Sequence, residues 1–596
     1  MSMKNDLVSI ELAIKTVGKW KETYQWIPIL GAIAAIATAF STGANNLPAP
    51  FSSPVGSGAL TLLKASLMAC AIYVPGAAFA SNSSVNDLFS DFLQEHQPNE
   101  AFLMWSFVIV LTTTAIWLSL ATCLELPVSS QQSIQGALLG TILVTEGFSF
   151  IPLWNKNNNH NFSVGGLLWI FLEWIVAPLL ACFCAFLMFS ALKAFLLRHE
   201  NAKKRILVFL PIDYGVSAGL LCLFVMYQII PNITTVYGWE VIVAVVGATL
   251  IGAALSLVLV VPLAIKKFDT IQKSKTKKKN TSLRHQSVDI RDQAHNTNTD
   301  TDAEVEDALK DFMQMRVLET VYEEDEQSWG SPNQIQDSEL AQPVSLSITD
   351  QSASFKQLLE STRNHLVQTK NFQETRKTTP TENVSELFRY FAKSTFDPVT
   401  EYDRQTLVRH ALAEKYDEME ELFSYPQLLA SCIFALIQSA SEIAAVVTPY
   451  GAIHEIFSHR AKYSGNGEDM ESVNVAWWFR AIGGFGAALG YFLCGWRLTQ
   501  CLGGKLTYMS NSRGLASQLS TVAAMILVNR IKLPVSSVHA FVGSLVGVGM
   551  ADDPRNVNWK LLLKFICGWV VTIIFCCGVA YVVFSASIHS PSYVVP

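Results

Sequence analysis

Apolar residues in this chain are bunched into runs near 27–42, 57–80, 103–123, 126–145, 165–196, 206–230, 239–264, 427–448, 478–498, 515–530, 533–550 and 561–586. Runs of roughly 20 apolar residues are long enough to cross a bilayer as helices. The pattern predicts an all-α polytopic membrane protein with about ten to twelve membrane segments. One polar stretch interrupts it in an unusual place. "STGANNLPAPFSSPVGSGA" (Ser41 to Ala59) lies between two apolar segments and holds two adjacent amides, three prolines and four serines. Proline removes a backbone donor and breaks a helix. Backbone left bare at membrane depth is tolerated only where protein buries it or a cavity adjoins it. The stretch is therefore either a loop outside the bilayer or part of a site within it.

Composition agrees with the membrane reading. Half of the 596 residues are hydrophobic and 15% are charged, against about a quarter charged in soluble domains. The net charge of -6 says little, because most charge is confined to one polar block, 266–425. That block divides the chain into an N-terminal membrane half (1–265) and a C-terminal one (426–596). It opens with "KKFDTIQKSKTKKKNTSLRHQ" and continues in Asn, Thr, Asp, Gln and Ser, the composition of a largely disordered linker. Removing roughly residues 275–380 is expected to leave the membrane part folded. Only Val384 to Phe423 has an amphipathic pattern that predicts helix. The first 26 residues are polar and amphipathic, with no cleavable signal peptide expected. The eleven cysteines lie in or beside apolar runs and show no metal spacing or disulfide framework.

Positive residues favour the cytoplasmic side. This places "RHENAKKR" (Arg198 to Arg205) and the Lys-rich start of the polar block inside. "PNITTVYGWE", "GFSFIPLWNKNNNHNFSVGG" and "SNSSVNDLFSDFLQEHQPNE" then lie outside, each with a glycosylation sequon, at Asn232, Asn161 and Asn82. Counting back places the N-terminus outside as well, against the charge of Lys4, Lys15, Lys19 and Lys21.

Two segments repeat. "ELPVSSQQSIQGALLG" (Glu125 to Gly140) and "KLPVSSVHAFVGSLVG" (Lys532 to Gly547) share Leu-Pro-Val-Ser-Ser and a later Gly, Leu and Gly. Proline opens a helix well and leaves the serines in its first turn. There the free N–H groups and the positive end of the dipole favour an anion. A duplicated chain should also repeat the interrupted segment 80 to 90 residues ahead of the second Pro-Val-Ser. "LIQSASEIAAVVTPYGAI" (Leu436 to Ile453) fills that place, with Ser441-Glu442 where the first copy has Asn45-Asn46. Two such pairs suit a transporter built from two inverted repeats with broken or re-entrant helices, and favour the buried-site reading of Ser41–Ala59.

At this point the sequence resembles the inorganic phosphate transporter family, of the PiT or sodium/phosphate symporter type. The family's first signature, close to G-A-N-D-V-A-N-A-F-G-T-S-V-G-S, reads "GANNLPAPFSSPVGS" here. The second, close to H-G-S-N-D-V-A-N-A-I-G-P, reads "QSASEIAAVVTP". The paired L-P-V-S-T-T-H segments read "LPVSSQQ" and "LPVSSVH", and "WIVAPLL" and "CGWRLTQCLGGKLTYMSNSRG" also match. The resemblance covers both membrane halves but not the polar block. This chain departs from it at the coupling carboxylates. The first signature Asp is Asn46, the second is Glu442, and two family Glu positions read as Val74 and Gln518. The motif's second Asn is Ala49 and Ala445, and the first family His is Gln132.

The resemblance implies transport of inorganic phosphate by alternating access. The donors it assigns are Ser129, Ser130, Ser536, Ser537, Asn45, Asn46 and His539. Asn46, Ser441 and Glu442 are the coupling-ion candidates, for sodium or a proton. Intramembrane acids are costly and mark function by default. Because the signature carboxylates are replaced, coupling to sodium is open. So are a proton-coupled or other-oxyanion transporter, and a non-transporting phosphate sensor, receptor or scaffold. No nucleophile motif, phosphate-binding Gly-rich Lys loop, metal cluster or nucleic-acid feature points to an enzyme, a resident cofactor or a nucleic-acid partner. The expected partners are phosphate, the lipid bilayer and, as a candidate, a second copy of the chain. The expected location is the plasma membrane rather than an organelle membrane.

Overall fold

In the computed structural model, residues 18–79, 100–145, 147, 167–228, 237–270, 273, 404–458, 475–530 and 535–589 are described. The sequons, Lys4, Lys15, Pro534 and the polar block from 274 to 403 lie outside the described residues. Every regular element among those described is helical. The first half supplies α1 (Trp26–Asn45), α2 (Pro48–Gly56), α3 (Leu62–Ala78), α4 (Glu100–Cys123), α5 (Ser130–Thr145), α6 (Leu167–Leu192), α7 (Ala202–Gln228) and α8 (Gly238–Leu255). The second supplies α9 (Arg404–Leu412), α10 (Ser424–Gln438), α11 (Ala444–Ser458), α12 (Trp477–Cys494), α13 (Asn511–Arg530), α14 (Ser537–Asp552) and α15 (Trp559–His589). The described part of each apolar run falls largely on these helices, the run 427–448 spanning α10 and α11. Among the described residues, seven helical stretches are long and apolar enough to cross a membrane. The chain is a multi-pass integral membrane protein.

Its surface is inverted relative to a soluble protein. Trp239, Ile242, Val246 and Leu250 on α8 are exposed, while Asn46, Gln132, Glu442 and Arg513 are wholly buried. Lipid satisfies the apolar exterior, so close association of the helices rests on packing and small residues. The repeated glycines show this. A Cβ added at Gly136 would meet Ile573, and one at Gly140 would meet the Cys577 carbonyl. In the other copy Gly543 and Gly547 lie against the carbonyls of Pro178 and Cys182. Thus α5 lies parallel to α15, and α14 parallel to α6. The end of α6 joins the end of α14 through Lys193 Nζ and Asp552 Oδ1, 3.2 Å apart, and α15 starts a few residues after Asp552. So α6 runs toward that end and α15 away from it, and α5 and α14 run in opposite directions.

The end of the polar block is helical and packed rather than solvated. Residues 404–425 form α9 and a short helical turn, bury Leu422 and Phe423, and pack onto the bundle. The Lys and Arg residues assigned to the cytoplasm gather at this same end. Lys193 and Arg198 pair with Glu414, Lys203 with Asp269, and Lys267 with Glu421.

Candidate functional site

The interrupted stretch is part of the interior. From Ser41 to Pro54 almost every residue is buried. The helix breaks after Asn45, and Pro48 opens α2 at its first position. The matching segment in the second half is not broken. α10 passes into α11 through a wider π-turn at Ser439–Ile443, which contains Glu442. Such turns put one extra residue into a helix and often occur at functional sites. Asn46 therefore enters the interior from a gap between helices, and Glu442 from a bulge.

Both segments meet the two Pro-Val-Ser helix starts. The Glu442 carboxylate accepts a hydrogen bond from Ser130 Oγ and one of 2.7 Å from Ser537 Oγ. Asn46 Nδ2 donates to the same carboxylate at 3.2 Å and to Ser130 Oγ at 3.1 Å. The Ser537 N–H lies 3.4 Å from Oε1. Residues at equivalent places in the two motifs also touch each other. Asn46 meets Glu442, and Gln132 Nε2 lies 3.3 Å from His539 Nδ1. Ser129 Oγ accepts from the Gln132 N–H and Ser536 Oγ from the His539 N–H, the ordinary work of N-cap serines.

Asn45 is directed away from this cluster. Its side chain holds the chain ahead of α5, donating to Leu126 O (2.9 Å) and Thr122 Oγ1 and accepting from the Val128 N–H. Ser441 Oγ bonds only backward, to the carbonyls of Ile437 and Gln438. Val74, on α3, lies beside Gly484, while Gln518 Nε2 braces α2 by donating to Pro50 O (2.8 Å) and to Ser431 Oγ (2.7 Å).

Two further residues complete the cluster. Gln438 Nε2 donates at 2.9 Å to both Asn46 O and Ser537 Oγ. It stands one helical turn before Glu442, a spacing legible in the sequence. Trp569 on α15 packs its ring 3.9 Å from that of His539 and donates to Pro127 O at 2.9 Å. No motif signals it.

Glu442 is thus a buried carboxylate held entirely by neutral donors, and no ion pair among the described residues includes it. Two carbonyl-type oxygens of this cluster, Asn46 Oδ1 and Gln438 Oε1, have no hydrogen-bond partner. A fixed negative charge with spare oxygens attracts a hard cation. Opposed helix starts with hydroxyls attract an oxyanion.

A polar centre walled by helices, with two 16-residue helices starting at it from opposite sides, defines a membrane transporter rather than an enzyme. The chain belongs to the phosphate transporter family, whose model matches residues 42–580. It is similar to the phosphate-repressible phosphate permease pho-4 of Neurospora crassa, at 23% identity over 92% of this chain and 95% of that protein. It is also similar to the sodium-dependent phosphate transporter 1 of Mus musculus, at 22% identity over 92% and 93%. A solved sodium-dependent phosphate transporter shares the fold, with a TM-score of 0.59 and 19% identity over 95% of this chain and all of that one.

Proposed function

We propose that this protein carries inorganic phosphate across the membrane by alternating access around the Asn46–Ser130–Glu442–Ser537 cluster, with the plasma membrane as its setting. The observation that carries the reading is the convergence of both signature segments and both Pro-Val-Ser helix starts on one buried centre, in a chain of the phosphate transporter family. The opposed directions of α5 and α14, and the matched contacts Asn46–Glu442 and Gln132–His539, support two inverted repeats.

The hydrogen bonds suggest how coupling works. The donors suited to phosphate, Ser130, Ser537 and Asn46, are engaged by the Glu442 carboxylate. A cation or proton taken up by Glu442 weakens its hold on them and frees them for an incoming oxyanion. Ion and phosphate then bind cooperatively, because each removes a cost of binding the other. In this scheme Ser129 and Ser536 shape the helix starts, Asn45 and Gln518 hold the broken segment, and His539 with Gln132 closes one side. Sodium is supported by the sodium-dependent relatives, while the replacement of Asp by Asn46 weakens the field that would hold it.

Radiolabelled phosphate uptake into proteoliposomes tests the reading. Uptake should require an inward ion gradient, of sodium or of protons, and phosphate should raise the affinity for that ion. No uptake under either gradient, from protein that elutes as a single folded species, would overturn it in favour of a sensor or scaffold.

A further inference from the structure

A basic patch that the buried centre does not use surrounds the end of α4. The helix stops at Cys123, and the chain turns away through Glu125, whose backbone is left-handed at φ 57°. The last carbonyls of a helix need partners from outside it, and here distant cations supply them. Lys564 Nζ on α15 donates to Leu124 O at 2.9 Å. Arg497, just after α12, donates to Cys123 O at 3.4 Å. Lys505 Nζ meets Glu125 Oε2 at 2.8 Å. Three cations thus meet three consecutive residues. A fourth, Lys560, stands one turn before Lys564 on the same face of α15.

Capping α4 does not account for this charge. A helix C-terminus carries about half a negative charge, and Glu125 adds one. Arg497, Lys560 and Lys564 are exposed and belong to no ion pair among the described residues. Elsewhere at this end of the molecule Lys193, Arg198, Lys203 and Lys267 each meet a carboxylate. The surroundings of the patch are apolar. Leu120, Leu124, Leu563 and Ile566 are all exposed, as a surface in contact with lipid requires. Trp559 is exposed as well and donates its Nε1–H to Pro554 O at 3.0 Å. Indole rings at helix ends settle at headgroup level. Lys564 lies one turn deeper than Lys560, about 6 Å along the helix, where a cation without a counter-charge is costly.

We infer that Arg497, Lys560 and Lys564 bind the headgroup phosphate of an anionic phospholipid, with its acyl chains against Leu120, Leu124 and Leu563. Basic clusters between membrane helices suit such headgroups. The leaflet is the one at the Asp552 end, since α15 starts a few residues after Asp552. The exposed leucines favour a lipid over free phosphate, which has no chains to lay on them. The excess of cations favours an anionic lipid over a zwitterionic one, which brings a cation of its own.

Lipid retention tests this without reference to uptake, so its failure leaves the transport reading untouched. Full-length protein in detergent is mixed with phosphatidylglycerol or phosphatidylcholine. Bound lipid is counted by native mass spectrometry, and the thermal midpoint is recorded. The native chain should retain phosphatidylglycerol and gain stability from it, and high salt should weaken both effects. Phosphatidylcholine and inorganic phosphate should not substitute. Lys560→Gln/Lys564→Gln should lose the retention severalfold, while Lys560→Arg/Lys564→Arg keeps it. Lys204→Gln/Lys266→Gln removes the same charge from exposed positions elsewhere and should behave as native. Equal retention by native protein and Lys560→Gln/Lys564→Gln overturns the site, as does equal loss in Lys204→Gln/Lys266→Gln, which would mean diffuse attraction. Native protein that phosphatidylcholine or inorganic phosphate stabilises as well overturns it too, by a measurement that needs no variant. A dimer that forms in any lipid and is lost in Lys560→Gln/Lys564→Gln would put a second copy on this face instead.

Discussion

Two carboxylate clusters lie at opposite ends of α14, and they are neutralised in different ways. At its start, Ser537 hands its hydroxyl to Glu442, which has only hydroxyls and amides around it. At its end, Asp552 meets Arg513 at 2.6 Å and Lys193 at 3.2 Å, and accepts from the Glu414 N–H. Glu414 in turn pairs with Lys193 and Arg198. Arg513, the largest wholly buried side chain among the described residues, also donates to Glu414 O and Ser510 Oγ and packs over Phe189 and Tyr508. Glu420 closes the start of α13, accepting from the Ser512 N–H and from both Ser510 and Ser512 hydroxyls. A charge balanced by fixed cations has no use for a mobile one. A charge balanced by dipoles alone still attracts one. The first cluster is thus suited to exchanging ions and the second to holding helices together. The 16 residues of α14 form a rod of about 24 Å between them.

The largest expected effect is at the first end. Glu442→Gln keeps the shape and removes the charge, so ion-coupled uptake should fall to background while the protein still elutes as a folded species. Uptake that retains its full ion dependence in this variant would show that the cation is held elsewhere. At the second end the same isosteric change should act on stability. Asp552→Asn leaves Arg513 buried without its counter-charge, a loss of about 3–5 kcal/mol. It should appear as a lowered thermal midpoint or a poor yield, with KM for phosphate little changed in the protein that folds. A stable Asp552→Asn with altered KM would erase the distinction between the two ends.

A smaller effect is expected from Asn46→Asp, which puts a second charge beside Glu442 and makes the first cluster still less balanced. Half-activation should move to about tenfold lower sodium, equivalent to about 1.4 kcal/mol. This is modest beside the several kcal/mol that Coulomb's law allows between close charges in a protein. An unchanged sodium response would place Asn46 outside the ion's reach.

The membrane class, the helix positions and the polar centre were all legible in the sequence. Apolar runs of span length have few alternatives in lipid, and the duplicated Leu-Pro-Val-Ser-Ser marks two helix starts. The details that escaped it depend on tertiary contacts. Asn45 and Asn46 are adjacent and alike, yet the break after α1 turns one toward Leu126 and the other toward Glu442. The second segment has Ala444 two residues after Glu442, where the first has Pro48 two residues after Asn46, so a π-turn replaces the break expected from the first. Residues 404–425 belong to a block whose polar composition reads as a largely disordered linker, with helix expected only over Val384 to Phe423. Their charges are instead spent on Lys193, Arg198 and Lys267, partners more than a hundred residues away that no local pattern reveals.

The smallest effect concerns pH at the ionic end. The hydrogen bond from Arg198, with help from Lys193, holds the Glu414 carboxyl at about 2 against an ordinary 4.5. A depressed carboxyl stabilises the fold above its unfolded value, and that contribution is lost as pH falls through 4.5 toward 2. The side chain is 38% exposed, so solvent screens the pair and only a fraction of the nominal linkage energy survives. Glu414→Gln should therefore lower the thermal midpoint slightly and by a constant amount near neutral pH. The gap to the native chain should close below about pH 4 and shrink in high salt. A gap that widens as pH falls would reverse the sign and rule out the ion pair as its source. Because Glu414 keeps its charge across the neutral range, it contributes nothing to a change of uptake between mildly acidic and mildly alkaline pH. That pH dependence, measured in native protein and in Glu414→Gln, should be the same in both.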